Sequence, residues 1–448
     1  MRVLHCCYRY FPDRGGSETY VSSLVHALKT QNVQSIIASA GEPCETYAHD
    51  GITVHRLGHV KEAQGVTQST ISTPSDGYVK RLHDLINEAR PDVIHFHWHP
   101  GGIADLMTGL SKPNIPLVFT FHHPSITCYR GDLLRFGSSP CSGVFSRDLC
   151  LSCAVHCLGV TPVLASILSL LPDDLCGALG RQLPKGRLRT AAGFGQNLSF
   201  RLSKTHRFLD SFQRVIVLSE WSRLLLIANG VKRDRLELSR LGTHHPVPPK
   251  AVVRANKVRG STIRGVFVGR LDSVKGVHIL AEAMKAIAES PVAVDVYGPL
   301  DGADVRLAPF IAAGTKPGAK LRFLGNLRDS EVVNTMQKYD FAIVCSQFFE
   351  TGPYTVIEAF QAELPVLGTD IGGINEMVSH NCNGWLIPLH SIQGWASALR
   401  MLGDNPSILE GWRRNVLWNR SMGDVAREIA NTYRAVLGEF IEARSTDA

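Results

Sequence analysis

Residues 341–369 read FAIVCSQFFETGPYTVIEAFQAELPVLGT, a stretch that alternates two apolar runs with a polar loop and a helical period. The runs at 341–345 and 366–368 predict two β-strands, and the helix between them is predicted to begin near Tyr354. A strand, a helix and a second strand in this order are typical of a parallel α/β sheet. The stretch therefore predicts one βαβ unit.

The same alternation continues on both sides of this unit. It breaks at 243–260, which includes THHPVPPK and predicts a linker. A chain of 448 residues also suits two domains better than one. We expect an N-terminal domain at 1–242, a C-terminal domain at 260–415, and a helix at 424–443 that packs back on the N-terminal domain. The other predicted strands are 3–7, 35–40, 93–97, 117–122, 214–218, 265–268, 292–297 and 321–324.

The predicted fold class is therefore α/β, with two doubly wound halves that face each other across a cleft. The other helices are predicted at 17–30 and from starts near Val277, Ser330 and Gly373. In doubly wound sheets, ligands bind at the carboxyl ends of the strands. Loops that follow strands are therefore the places to look for chemistry.

Charge and hydropathy predict a cytoplasmic location. The N-terminus lacks the apolar stretch of a secretory signal, and the longest apolar run, near 160–171, is well short of the roughly 20 residues that cross a bilayer. The eleven cysteines would then be reduced thiols or metal ligands. A net charge of +7 is mild and does not indicate nucleic acid.

Basic residues are concentrated between 181 and 214. They suit a solvated face, or contact with an anionic membrane surface or a phosphate-bearing acceptor. The second interpretation leaves peripheral attachment to the inner face of the membrane open. The basic residues, opposed only by Asp210, are Arg181, Lys185, Arg187, Arg189, Arg201, Lys204, Arg207 and Arg214.

Two cations follow the predicted strand at 265–268. Arg270 and Lys275 lie in VGRLDSVKG, where Gly269 and Gly276 let the backbone approach a ligand closely. Cations on a short loop stabilise the negative charge that develops on a diphosphate leaving group. The alternative is an exposed loop with two solvated charges.

Two carboxylates bracket a helix start in ETGPYTVIEA. Pro353 suits the first helical position, which leaves the amides of Tyr354 and Thr355 as an anion site. Glu350 precedes the helix, and Glu358 lies about one turn inside it. Such carboxylates suit the hydroxyls of a ribose and of a transferred sugar, while the amides suit phosphate. Taken singly, each glutamate also fits a solvated side chain or a favourable charge near a helix start.

These residues match a known family. VGRLDSVKG, FLGNL and CSQFFETGPYTVIEAFQAELPVLGTDIGGINEMV together closely resemble the retaining glycosyltransferases of family four. YRYFPDRGGSETYVSSLVHAL is similar to the family's opening loop and first helix, so the resemblance covers nearly the whole chain. It implies the GT-B architecture of two Rossmann-like domains, with the acceptor bound by the N-terminal domain and the donor by the C-terminal one. It also implies front-face transfer with retained anomeric configuration and no divalent cation.

The resemblance implies a role for each matching residue. Arg270 and Lys275 would bind the donor diphosphate, while Glu358 would hold the ribose. Glu350 would contact the donor sugar near its 3- and 4-hydroxyls. The other residues with implied roles are His122 at the sugar's primary hydroxyl and the reaction centre, Gly15 and Gly16 near the donor phosphate, Gly325 and Asn326 at the base pocket, and Tyr354 and Thr355 at the phosphate-binding helix start.

Three positions depart from the family pattern. Pro353 stands where many members have glycine, which alters the setting of one phosphate-binding amide. His123 stands where relatives often have aspartate, so any role of that aspartate has no counterpart. The turn GTHHP replaces a more usual Asn-Gly-Val-Asp, a difference that we expect to be structural.

A second feature is a cysteine-rich insert at about 128–157, similar to one in a subgroup of the family. Its spacing, C-x12-C-x8-C-x2-C, suits tetrahedral zinc, and a closed set of four thiolates would be structural. Buried free thiols and an iron–sulfur cluster are the alternatives. The four cysteines are Cys128, Cys141, Cys150 and Cys153.

Three further histidines, His95, His97 and His99, alternate in HFHWHP. At the end of an apolar strand we expect them to pack or to line the cleft rather than to bind metal.

The predicted function is retaining transfer of a hexose-type unit from a nucleoside diphosphate, preferably uridine, to a hydroxyl acceptor. A lipid-linked saccharide of surface-polysaccharide assembly is the expected acceptor class. The alternatives are a GT-B-fold nucleotide-sugar epimerase and a zinc-stabilised sensor that binds without transfer. A nicotinamide dehydrogenase does not fit, because no predicted strand is followed by GxGxxG. The sequence leaves the donor sugar, the acceptor and the oligomeric state open.

Overall fold

The structure is a computed structural model that describes residues 1–13, 15–61, 73–98, 115–182, 184, 186–243, 245 and 262–446. The chain divides into two compact units, residues 1–240 with 422–448 and residues 241–421. The C-terminal unit therefore extends beyond the predicted 260–415 at both ends. Most of the predicted linker at 243–260 lies outside the described residues.

The N-terminal unit is built on an eight-stranded sheet. The strands of this unit are β1 Arg2–Cys7, β2 Gln34–Ser39, β3 Gly41–His49, β4 Ile52–Gly58, β5 Val60–Lys61, β6 Thr73–Pro74, β7 Val93–Phe96, β8 Leu117–Phe121, β9 Leu134–Arg135, β10 Ser139–Pro140, β11 Arg214–Val217 and β12 Leu236–Leu238. The main sheet has the order β12-β11-β8-β7-β1-β2-β4-β3, and only β3 runs antiparallel to its neighbour. Every residue of β7 and β8 is buried, as expected for parallel strands covered by helices on both faces.

The C-terminal unit has a six-stranded, fully parallel sheet. Its strands are β13 Ile263–Val268, β14 Val292–Tyr297, β15 Leu321–Phe323, β16 Phe341–Val344, β17 Val366–Thr369 and β18 Gly384–Ile387. The sheet order is β15-β14-β13-β16-β17-β18. The chain leaves β13 for one side of the sheet and later returns to place β16 on its other side. The carboxyl ends of β13 and β16 therefore flank a topological switch point, where ligands of such sheets bind.

Fifteen described α-helices connect these strands. Several begin at a serine that caps the helix: the Ser75 hydroxyl accepts from the amide of Tyr78 at 3.2 Å, and that of Ser391 from the amide of Gly394 at 2.9 Å. No described helix is long and apolar enough to span a bilayer. The helices are α1 Gly16–Leu28, α2 Asp76–Ala89, α3 Arg147–His156, α4 Pro162–Ser169, α5 Asp173–Gln182, α6 Arg187–Asp210, α7 Glu220–Ala228, α8 Val277–Ala286, α9 Ala308–Gly314, α10 Val332–Met336, α11 Tyr354–Gln361, α12 Gly372–Met377, α13 Ile392–Asp404, α14 Ile408–Arg413 and α15 Met422–Thr446.

The last helix, α15, belongs to the N-terminal unit although it ends the chain. Its apolar face is buried at Val425, Ile429 and Tyr433. The Tyr433 hydroxyl lies 2.6 Å from Nδ1 of His95 at the end of β7. This contact ties the end of the chain to the centre of the first sheet.

The sequence did not predict every element. The hairpin of β3 and β4 was missed because β3 is mostly exposed and polar, which removes the alternation that marks a half-buried strand. The helical insert α3–α6 was also missed. The strands β7 and β8 end one residue earlier than predicted, at Phe96 and Phe121. His97 and His122 therefore lie just beyond the carboxyl ends of their strands.

Candidate active site

The switch point of the C-terminal sheet is formed by two interlocked loops, residues 269–276 after β13 and 345–353 after β16. The amide of Gln347 donates to the carbonyl of Val274 at 2.7 Å, and the Cys345 thiol donates to the carbonyl of Lys275 at 3.1 Å. Gly276 has φ +73°, and a Cβ there would lie 2.0 Å from the carbonyl oxygen of Cys345. Glycine is therefore required where the two loops touch.

Lys275 and Glu350 form an ion pair across these loops. Nζ of Lys275 lies 2.8 Å from Oε1 of Glu350, and the two side chains are 21% and 11% exposed. The Ser346 hydroxyl donates to the same carboxylate oxygen. The carbonyl of Glu350 accepts from the amide of Gly373, at 2.7 Å, at the start of α12. Glu350 is thus held by backbone and side chain, which favours a fixed position for its carboxylate.

Arg270 lies in the same loop as Lys275 but reaches into solvent. Its side chain is 66% exposed, and its guanidinium lies 3.1 Å from Asp272. Asp272 also accepts from the amide of Lys275 at 3.2 Å, which fixes the turn that carries the lysine. The structure therefore places Lys275 in a half-buried ion pair and leaves Arg270 largely exposed to solvent.

Helix α11 carries the second predicted glutamate. Pro353 was predicted to be the first helical residue but is the N-cap, and Tyr354 is the first residue of the helix. The hydroxyl of Thr355 donates to the carbonyl of Val268, at the end of β13, at 3.4 Å. Glu358 is buried, and its Oε1 lies 3.3 Å from Nε2 of His245.

Two residues that lie close to Glu358, His245 and Asp329, were not predicted from the sequence as site residues. The side chains of His245, Asp329 and Glu358 bring one ligand atom each within 4.8 Å of one another. His245 lies in the GTHHP turn, which was interpreted as structural, and Asp329 follows FLGNL by a few residues. Two carboxylates and an imidazole at this spacing present several acceptors for hydroxyl groups.

Gly325 and Asn326, predicted at the base pocket, follow β15 at the same edge of the sheet. Gly325 has φ +76°, and its carbonyl accepts from the amide of Gly298 at 2.9 Å. Asn326 is exposed. The structure thus places them beyond the carboxyl end of a strand, two positions from β13 in the sheet order.

In the N-terminal unit, Gly15 and Gly16 stand at the start of α1. Gly15 is the N-cap residue, and its carbonyl accepts from the amide of Thr19 at 3.0 Å. A Cβ on Gly15 would lie 2.6 Å from Oε2 of Glu18. Burial raises the pKa of Glu18. Gly15 therefore leaves room for this carboxyl group where the loop turns into the helix.

His122 belongs to a chain of hydrogen-bonded imidazoles. Its Nε2 lies 3.3 Å from Nδ1 of His97, whose Nε2 lies 3.1 Å from Nδ1 of His5. His95 packs beside them with a tilted ring, and its two ring nitrogens are hydrogen-bonded to the hydroxyls of Tyr433 and Thr120. Desolvation by burial lowers the pKa of all four histidines, to about 3 for His5 and His122. His122 keeps some solvent exposure, whereas His5, His95 and His97 are buried.

These histidines pack as the sequence predicted, and His99 lies outside the described residues. His5, His95 and His97 each bring one ring nitrogen within 4.8 Å of the others. His95 and His97, however, already have partners at both ring nitrogens. Hydrogen bonding therefore accounts for most of the group's polar atoms, with Nε2 of His5 left without a partner.

The structure does not assemble the four predicted zinc ligands. In the part of the chain that is described, no group of three or more ligand atoms within 4.8 Å includes a cysteine. Instead the thiols meet backbone amides and an arginine: Cys153 accepts from the amide of Phe136 at 3.3 Å, and Cys157 from Arg130 at 2.8 Å. Zinc binding by Cys128, Cys141, Cys150 and Cys153 stays a prediction that this geometry does not support.

Comparison with known proteins agrees with the two units. Residues 14–243 match the family described as "Glycosyltransferase Family 4", and residues 254–416 match "Glycosyl transferases group 1". A D-inositol 3-phosphate glycosyltransferase of Pseudarthrobacter chlorophenolicus is 23% identical over 419 residues, which cover 88% of this chain and 83% of that protein.

Two solved structures share the fold. Sucrose-phosphate synthase from Thermosynechococcus elongatus matches with a TM-score of 0.64 at 15% identity, covering 98% of this chain and 99% of that one. Anabaena Alr3699/HepE, solved in complex with UDP-glucose, matches with a TM-score of 0.55 at 17% identity over the whole of both chains. The predicted GT-B fold is thereby confirmed. The chain belongs to the glycosyltransferases, with a Family 4 region followed by a group 1 region.

Proposed function

We propose that the protein is a retaining hexosyltransferase that uses a nucleoside-diphosphate sugar, UDP-linked by preference, and a hydroxyl acceptor. The observation that carries this proposal is the ion pair of Lys275 and Glu350 at the switch point of the C-terminal sheet. A cation and a carboxylate side by side suit the two ends of the bond that breaks, a diphosphate and a polyhydroxylated sugar. The UDP-glucose complex of Anabaena Alr3699/HepE, which shares the fold, supports the choice of donor.

The proposed reaction needs no group beyond the donor and acceptor. The acceptor oxygen forms the new bond to the anomeric carbon while the bond from that carbon to the diphosphate oxygen breaks. The leaving phosphate takes the acceptor's proton, so charge and atoms balance. Lys275 and, from the rim, Arg270 stabilise the negative charge that develops on the diphosphate. We therefore expect EDTA to leave the rate unchanged.

The other predicted residues keep the roles that the family resemblance assigns to them. Glu350 orients the donor sugar, and Tyr354 and Thr355 present backbone amides to phosphate at the start of α11. His122 is assigned to the sugar's primary hydroxyl, and burial keeps its imidazole neutral at physiological pH. Gly325 and Asn326 complete the proposed donor site of the C-terminal unit, and Gly15 and Gly16 keep the role near the donor phosphate that the resemblance implies.

Glu358→Gln is expected to weaken UDP binding by about tenfold, because a buried carboxylate accepts hydrogen bonds from ribose hydroxyls more strongly than an amide does. Calorimetric titration with UDP and with 2′-deoxy-UDP measures the effect. The wild type should prefer UDP, and the variant should lose most of that preference. Glu282→Gln, on the exposed face of α8, serves as the control. Equal discrimination by Glu358→Gln and wild type would remove Glu358 from the ribose site.

A hydrolysis screen across nucleotide sugars tests the function without knowledge of the acceptor. We expect slow release of UDP from one UDP-hexose, with the free sugar formed first as the same anomer as in the donor. An epimerase would instead convert the donor into a second nucleotide sugar, and a sensor would bind the donor unchanged. Formation of a second nucleotide sugar, or binding of every donor without cleavage, would overturn the proposal.

The proposed acceptor is a saccharide or lipid-linked saccharide of surface-polysaccharide assembly, presented at the inner face of an anionic membrane. The basic composition of residues 181–214 supports this choice. Among the described members of that stretch, Arg181, Arg189 and Arg207 are exposed.

A further inference from the structure

Helix α4 buries small residues and exposes most of its large apolar side chains. Its fully buried face consists of the small residues Ala165 and Ser169. Of the five large aliphatic side chains from 163 to 170, only Leu168 packs against the local core, and the other four are exposed, which is the opposite of a surface helix of a globular protein. We name these exposed residues the aliphatic ridge: Val163, Leu164, Ile167 and Leu170, at 73%, 50%, 55% and 74% exposure.

Further exposed hydrophobic side chains lie near the ridge in the sequence. Fifteen large hydrophobic side chains are exposed among the described residues, and seven of them lie between positions 144 and 175. Besides the ridge, these are Val144, Leu149 and Leu175. Scattered exposed leucines need no explanation, but a concentration in one helical insert indicates a binding surface.

The ridge stands on a well-built base. Ala165 packs into a local core with Leu151, Val155 and Phe194, so the inner face of α4 is already satisfied. The Arg147 guanidinium donates to the carbonyls of Ser169 at 2.7 Å and Leu171 at 2.8 Å, and it also pairs with Asp173. This arginine caps the end of α4 and joins it to α5. The outward face is therefore a fixed feature of the fold rather than a misplaced inner face.

The polar groups of α4 are also satisfied internally. The Ser166 hydroxyl donates to the carbonyl of Pro162 at 2.8 Å, and the Ser169 hydroxyl donates to that of Ser166 at 2.8 Å. No charged residue occurs from 159 to 172. A helix whose hydroxyls bond to its own backbone loses few hydrogen bonds with water when its outer face enters an apolar phase.

We infer that the aliphatic ridge is a membrane-insertion surface, which enters the interface of an anionic bilayer together with the basic helix α6 of the same insert. Helix α3 packs against both α4 and α6, so the ridge and the basic helix α6 belong to one insert. From 160 to 207 the sequence has seven basic and two acidic residues, and Asp173 is already paired with Arg147. An apolar face next to excess positive charge is typical of interfacial helices.

The same charge disfavours a second copy of the chain as the occupant. Two copies that met at the ridge would bring two basic inserts together, and like charges repel. The ridge also contains no aromatic or arginine side chain of the kind that anchors protein interfaces. Its four residues are all aliphatic, as suits the disordered boundary of acyl chains.

This inference deepens the proposed function, since it places the enzyme where a lipid-linked acceptor lies, but vesicle binding tests it without donor or acceptor. The experiment compares co-sedimentation of wild type and the double variant V163S/I167S with vesicles of phosphatidylglycerol and phosphatidylethanolamine. The matched control, V305S/I441S, removes a valine and an isoleucine that are 82% and 66% exposed elsewhere. We expect V163S/I167S to bind at least about tenfold more weakly and the control to bind as wild type does.

Salt and lipid composition separate insertion from charge attraction alone. Wild type should keep part of its binding at high salt, and V163S/I167S should lose that part, while phosphatidylcholine vesicles should bind both weakly. Unchanged binding by V163S/I167S, or wild-type binding that salt removes completely, would overturn the inference. So would a dimer in light scattering that V163S/I167S converts to monomer, because the ridge would then be a self-interface.

Donor hydrolysis in vesicle-free buffer provides the folding control and keeps the two proposals distinct. V163S/I167S should retain wild-type hydrolysis and melting temperature. Vesicle binding by a wild type that cleaves no nucleotide sugar would contradict the proposed function but leave the ridge intact. Donor hydrolysis by a wild type that binds no vesicle would contradict the membrane-insertion inference but leave the proposed function intact.

Discussion

Lys275→Ala is expected to lower the rate of donor cleavage by about 10²–10³-fold, the usual loss when one group that stabilises transition-state charge is removed. Lys275 is the paired, half-buried cation of the switch point, whereas Arg270 is at the rim. The charge on the leaving diphosphate is largest in the transition state, so the loss should appear mainly in kcat. The fold should persist, because Glu350 keeps its bond from Ser346 and its backbone bond to Gly373.

The measurement is UDP release at saturating donor, with thermal melting recorded for each variant. Lys285→Ala, on the exposed face of the adjacent helix α8, is the matched control and should retain full activity. A Lys275→Ala enzyme within a few-fold of wild type, with an unchanged melting temperature, would exclude Lys275 from leaving-group stabilisation.

Acidification from pH 7.5 to 5.5 is expected to lower the melting temperature of the N-terminal unit by about 10 °C or more. His5, His95 and His97 are buried, and desolvation holds their pKa values far below 6.5. Below pH 6.5 the unfolded chain binds protons that the folded one excludes, so stability falls as pH falls toward the folded pKa values. Each histidine contributes at most about 1.4 kcal/mol per pH unit. Three together remove about 4 kcal/mol at pH 5.5, a large part of the usual stability of a domain.

Hydrogen exchange across this pH range tests the effect by region. Peptides of β1 and β7 should lose protection at pH 5.5, whereas peptides of β13 and β14, which belong to the separate sheet of the C-terminal unit, give the reference within the same sample. His5→Phe removes one of the titrating groups and should reduce the pH dependence by about a third. His206→Gln, at an exposed histidine of the same unit, is the control. Equal protection of β1 at both pH values would show that the buried imidazoles do not resist protonation.

The positions of Lys275 and Glu350, two residues of the proposed donor site, were predictable from sequence because each lies in the loop that follows a strand. Lys275 and Glu350 come after strongly apolar runs, and parallel strands place their carboxyl ends at one edge. The ion pair itself was not predictable. It requires that β13 and β16 be neighbours, and sheet order is a non-local property that short periodicities do not specify.

The features that sequence reasoning missed depend on tertiary contacts. His245 lies in a proline-rich turn that has no periodicity, yet it reaches the buried Glu358. The hydrogen bond between His97 and His122 forms because β7 pairs with β8, and each histidine is the first residue beyond the end of its strand. The aliphatic ridge was hidden because an apolar run predicts burial, and only the packing of Ala165 and Ser169 shows which face is inside.

The most direct test of the account is calorimetric titration of the full-length protein with UDP, UMP and uridine in the presence of EDTA. If the loops after β13 and β16 hold a nucleoside diphosphate, UDP should bind at least about tenfold more tightly than UMP, and Lys275→Ala should abolish that difference. Failure of UDP, ADP and GDP alike to bind, or an unchanged preference for UDP over UMP in Lys275→Ala, would contradict it.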